Sequence, residues 1–129
     1  MDKHDLVNAL CDFNADTRRR ALKTLAETVT FPQYGTNFNM HCHSFFSYNS
    51  EGWSPSRVAY ECRARGLCAA ALCDFDVLDG LDEFLEAGRL LALRTAVHLE
   101  TRVFVKELDA ADISSPGEPG VAYIMGCGF

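Results

Sequence analysis

Apolar residues in the first thirty positions recur at helical spacing. Leu22, Leu25, Ala26 and Val29 stand at i, i+3, i+4 and i+7, which predicts an amphipathic helix over 15–29 with Asn14 or Asp16 as its cap. A shorter helix is expected over Asp5–Leu10. Phe31-Pro32 ends the pattern, because proline cannot continue the hydrogen-bond ladder and its predecessor prefers extended backbone. Residues 1–32 therefore read as an N-terminal helical extension, with a capping role and partner binding both open.

From there the period changes. Asn37-Phe38-Asn39-Met40-His41 alternates polar and apolar, as a short strand does. Ser54-Pro55 starts a helix that closes at Arg65-Gly66, with serine at the cap and glycine at the left-handed exit. The continuous apolar run Leu67–Cys73, bounded by Gly66 and Asp74, suits a buried parallel strand. Asp79 is the expected cap of a further helix whose apolar face is Leu81, Phe84, Leu85, Gly88 and Leu91. Thr95–Val105 alternates again, the stretch Ser114–Gly120 is dense in turn residues, and Val121–Met125 begins another strand.

Strands alternating with helices imply a parallel sheet with right-handed crossovers, and so an α/β layered or barrel fold over 33–129. The sequence stops on the apolar Gly126-Cys127-Gly128-Phe129, which would leave a strand edge unpaired and predicts a fragment of a longer protein.

Composition narrows the function classes. A net charge of -6 lacks the basic footprint that nucleic acid demands, and Arg18-Arg19-Arg20 falls within a helical pattern beside acidic residues. No stretch reads as a membrane span or a secretory signal, so the cytoplasm is expected. The six cysteines are scattered without a C-x-x-C pair, which argues against both a disulfide framework and a thiolate zinc site.

Candidate chemistry gathers at strand ends. His41 and His43 project to one side of a strand at its C-terminal end, where parallel α/β sheets carry their sites. By itself an H-x-H pair is more often two surface or hydrogen-bonded histidines. Asp74 also follows directly on a buried strand. Glu100 shares a polar face with His98 and Arg102, which points either into a site or to solvent as an edge-strand ion pair. Three successive strands thus end in His-x-His, Asp and Glu. That convergence is more specific than any one motif.

From Asn37 to Val105 the chain resembles the polymerase-and-histidinol-phosphatase (PHP) domain family. His41-Cys42-His43-Ser44 is similar to the family's H-x-H-[ST] motif. Ser54-Pro55 and Arg65-Gly66-Leu67 are similar to the helix and turn that come after it. Asp74-Phe75-Asp76 aligns with T-D-H-[DN], Asp79–Phe84 continues the match, and Glu100 falls at the bridging glutamate of G-x-E. The resemblance implies the N-terminal part of a distorted β/α barrel that binds up to three divalent metals and hydrolyses phosphoesters. It makes His41, His43, Asp74 and Glu100 metal ligands, for zinc, manganese or iron, and the substrate a small phosphoester.

The departures are specific. Phe75 stands where the family has a ligand histidine, and a phenyl ring cannot coordinate a cation. Ser47–Gly52 is longer than the family's Y-S-D-G, leaving Asn49 and Glu51 as counterparts of its aspartate. His98 replaces a glycine on the face of Glu100, where it either compensates for Phe75 or merely donates a hydrogen bond to Glu100. The family's later ligands would lie beyond Phe129. Two functions are compatible with this pattern: a metal-dependent phosphoesterase-like domain incomplete in this chain, or a non-catalytic binding or regulatory module that has lost metal ligands. The Ser115–Gly120 loop lacks the Lys and Ser/Thr of a phosphate-binding P-loop and reads as a stiff connection near the rim.

Overall fold

The structure, a computed structural model, describes residues 2–129. Two helices, α1 (Lys3–Ala9) and α2 (Ala15–Thr28), precede β1 (Phe38–Cys42), α3 (Pro55–Ala64), β2 (Ala69–Phe75), α4 (Leu81–Leu91) and β3 (Arg94–Phe104). A 3-10 turn at Lys106–Leu108 leads to β4 (Val121–Cys127). The strands form one curled, mostly parallel sheet in the order β1-β2-β3-β4.

Helix boundaries obey local chemistry. Asp2 and Asp5 form a reciprocal capping box on α1, Asn14 caps α2, and Ser54 caps α3 with Pro55 in its first turn. Gly66 takes φ +73° at the exit of α3. The expected cap at Asp79 is not found: Gly80 occupies that position and makes no side-chain cap bond. Packing explains the difference, since a Cβ on Gly80 would lie 2.7 Å from Leu72 Cδ2 and 3.0 Å from Pro55 Cγ. Only glycine lets the start of α4 approach β2 this closely.

The expected all-parallel sheet is also corrected. β1 with β2 and β2 with β3 are parallel, but β3 and β4 are antiparallel. A parallel return needs a crossover element, usually a helix. Residues 105–120 instead turn back on themselves, with Val105 N donating to Gly120 O at 2.7 Å and Gly120 N to Ala111 O at 2.9 Å.

One face of the sheet packs on the helices. Ala70, Leu72 and Val97 join Val58, Ala59, Phe84, Ala87 and Leu91 in the core, and Leu10, Leu22 and Leu25 of the N-terminal helices enter the same cluster. Arg18, 4% exposed, ties these layers by donating to both oxygens of Glu83 and to the carbonyls of Asp12 and Phe13. Glu83 also accepts from Ser56 N at 3.1 Å. The opposite face of the sheet, carrying Cys73, Phe75, His98 and Glu100, turns away from the helices. No helix among the described residues is long and apolar enough to cross a membrane.

Burial pushes the Glu83 carboxyl up, but its hydrogen bonds from Arg18 and Ser56 outweigh that and hold it below the ordinary 4.5. A group depressed on folding contributes stability above its unfolded pKa and loses it as pH falls through the folded one. Urea unfolding from about pH 5 down to about pH 3 is therefore expected to show a steeper loss of stability in wild type than in Glu83→Gln.

Candidate metal centre

The site begins with an irregularity in β1. Asn39 is opposite Ala70 and Cys42 is opposite Leu72, so three residues of β1 span two of β2. This bulge places an extra residue next to the site and re-aims the side chains after it, as bulges beside active sites do. Asn39 Oδ1 accepts from His41 N at 3.0 Å within it. Cys42 packs toward the core, so His41 and His43 project to the other face. Their ring centroids are 5.0 Å apart.

Glu100 completes the group from β3. Its Oε2 lies 2.9 Å from His41 Nε2 and 3.7 Å from His43 Nε2. The three residues offer ligand atoms that all fall within 4.8 Å of one another. His43 Nδ1 is buried without a hydrogen-bond partner. An unpaired buried acceptor or donor costs about 1–3 kcal/mol, which a partner bound at that nitrogen would relieve. Two imidazoles and a carboxylate form a donor set of the borderline type that zinc, manganese and iron accept.

Asp74 is placed elsewhere. One residue out of step with Phe75, it points to the opposite face of β2. It is 2% exposed, and both oxygens go to Ser44: Oδ1 accepts from the backbone N–H at 2.6 Å and Oδ2 from the hydroxyl at 2.5 Å. The carboxylate fixes the turn directly after His43. His98 sits in register with Cys73 and Cys127, two residues short of Glu100 and outside the three-residue group.

Phe75 is opposite Glu100 in the register and stacks on the His43 ring at 5.6 Å and 17°. Tyr48 and Tyr123 approach the same phenyl ring at 5.1 and 5.9 Å. Asn49 Oδ1 accepts from Ser47 Oγ at 2.6 Å, and Ser47 Oγ accepts from Phe75 N at 3.2 Å. Ser47, 3% exposed, is a supporting residue that sequence reasoning does not single out; its only signal is a place in the lengthened loop. Asp76 adopts φ +60° and donates its N–H to Glu100 O at 2.8 Å, locking the end of β2 to β3. Aspartate is one of the few residues that tolerate this conformation.

A cavity of about 520 Å³ opens beside the histidines, walled by Asn49, Glu51, Trp53, Cys62 and Arg65. Burial, with Glu100 and Cys127 nearby, pushes the Cys73 thiol up to about 11. At neutral pH it is a protonated thiol packed on Met125, Sγ to Sδ 3.7 Å, rather than a ready ligand.

This curled, mostly parallel half-barrel, with a His/His/Glu group on its open face, has likenesses among known proteins. One is a solved structure described as a metal-dependent phosphoesterase of Bifidobacterium adolescentis. It has a TM-score of 0.52 and 23% identity and covers 73% of this chain and 28% of that one. In sequence, 61 residues are 38% identical to error-prone DNA polymerases of Mycobacterium bovis and Mycobacterium tuberculosis, covering 47% of this chain. The chain spans only 6% of the length of those polymerases. It matches no family model.

The Asp74–Ser44 contact gives a direct test. Asp74→Ala leaves the buried Ser44 N–H without an acceptor and should lower the unfolding free energy by about 1–3 kcal/mol in urea. Ser44→Ala, which keeps the backbone bond, is expected to cost less.

Proposed function

We propose that this chain carries part of a metal-dependent phosphoester-hydrolysing site of the PHP type. His41, His43 and Glu100 hold a divalent cation, and Asp74 acts by positioning the turn after His43. The observation that carries the reading is the gathering of these three residues, all within 4.8 Å, where the parallel pairing of β1, β2 and β3 ends. The unpaired Nδ1 of His43 and the description of the structural neighbour support it.

A divalent ion held there supplies Lewis acidity toward a phosphoryl oxygen and lowers the pKa of a bound water. The chain's own residues set the geometry. Glu100 holds His41 in place, Phe75 restrains the His43 ring on one side, and the cavity beside them admits a small phosphoester. The resemblance assigns further histidine and aspartate ligands to later strands, so the three here complete only part of such a centre.

A second reading is favoured by one observation, Phe75 in the place of a ligand. In it, the scaffold serves as a non-catalytic binding or regulatory module.

Metal analysis and calorimetric titration with manganese and zinc separate the two. The first reading expects wild type to bind, and His41→Ala or His43→Ala to weaken binding by more than the roughly 10–100-fold that a lost supporting contact costs. A wild type that takes up neither ion rules it out. In that event Phe75→His should bring metal binding back, because it restores an imidazole beside His43.

A further inference from the structure

The polar cluster around Arg102 stands apart from the metal ligands and has no part in holding them. Arg102 comes two residues after Glu100 on β3, so both side chains leave the same face, about 7 Å apart along the strand. It lies opposite Tyr123 on β4. Its Nη1 donates to Glu118 Oε1 at 2.9 Å, while Glu118 Oε2 accepts from Ser115 Oγ at 2.5 Å and from the Tyr123 hydroxyl at 3.4 Å.

The turn-rich loop presents this glutamate. Glu118 N donates to Ser115 O, Val121 N donates to Glu118 O, and Gly117 N donates to Asp112 Oδ2. Gly120 closes the loop at φ +77°, where a Cβ would lie 2.5 Å from the Phe104 ring. The loop thus holds one carboxylate against one guanidinium.

Three rings join this cluster to the metal group. His43 stacks on Phe75, and Phe75 meets Tyr123 edge-on, next to Arg102. Arg102 remains 49% exposed, so much of its fork of five N–H donors faces solvent. Arg18, Arg57 and Arg65 also pair with carboxylates, but they stand on the helices, whereas Arg102 shares the sheet face of Glu100. In a chain of net charge -6, a phosphorylated substrate approaching Glu100 needs a local cation, and a guanidinium matches phosphoryl oxygens in geometry as well as charge.

We infer that Arg102 binds an anionic oxygen of the substrate's phosphoryl group, held in position by Glu118 and Tyr123; this rests on the phosphoester reading of the metal centre. Arg102 is a specificity residue, and Glu118 a positioning one.

Inorganic phosphate is the probe, titrated into the full chain both metal-free and manganese-loaded, with thermal melting of each variant as a check on folding. Wild type should bind it. Arg102→Gln should weaken binding roughly tenfold or more, the scale of a lost charge-assisted hydrogen bond, with manganese uptake unchanged. Arg102→Lys, which keeps the charge and loses the fork, should fall between them. Glu118→Gln should stay within about threefold of wild type, because its amide oxygen still accepts from Arg102.

Three results would overturn the inference: no phosphate binding by wild type in either state, unchanged affinity in Arg102→Gln, or an equal loss in Glu118→Gln. The last would make the pair a staple for the loop. Phosphate binding that depends on Arg102 in a protein that takes up no manganese would sink the metal reading and leave Arg102 as an anion site without it.

Discussion

The buried carboxylate of Asp74 is the contact on which the site's geometry depends. It takes both hydrogen bonds that Ser44 offers, deep under the start of α4, and so fixes where the chain goes after leaving β1. Charge-assisted bonds of this kind are about twice as strong as neutral ones. With Ser44 pinned, His43 is held between that turn and the Phe75 ring. Ser47, three residues on, reaches back to the Phe75 backbone and closes the loop against β2. A carboxylate facing away from the candidate metal group thus sets the position of one of its three residues.

Parallel pairing does the rest. Because β1, β2 and β3 run together, the ends of β1 and β2 come level with Glu100, partway along β3, and the two histidines reach it across the intervening strand. The bulge at Asn39–Cys42 then supplies the phase. Cys42 enters the core and the histidines take the open face.

Much of this was legible in the sequence. Apolar periodicity gave the helices, and the run Leu67–Cys73 bounded by Gly66 and Asp74 gave β2. His-x-His at the end of a strand and Glu100 on a polar strand face pointed to the candidate group, though Glu100 lies within β3 and not at its end. The illegible part lay in contacts between distant segments. The direction of β4 depends on how residues 105–120 fold back, and turn residues alone do not distinguish a hairpin-like return from a crossover. Asp79 looked like a cap because the clash that reserves that place for Gly80 comes from Leu72 and Pro55, far away in sequence. Asp74 and Glu100 looked equivalent as strand-end carboxylates. The register separates them, since Glu100 pairs with Phe75 and Asp74 falls on the other face.

Trp53 lies on the wall of the cavity beside the histidines, its carbonyl accepting from Phe45 N at 2.7 Å and its indole under the Arg57 guanidinium. It is also the sole tryptophan of the chain. The protein therefore has a built-in optical probe. Its intrinsic emission comes from one indole at the mouth of the candidate centre, so a change in colour or intensity on adding an ion or anion reports on that wall, with no second indole to average it away.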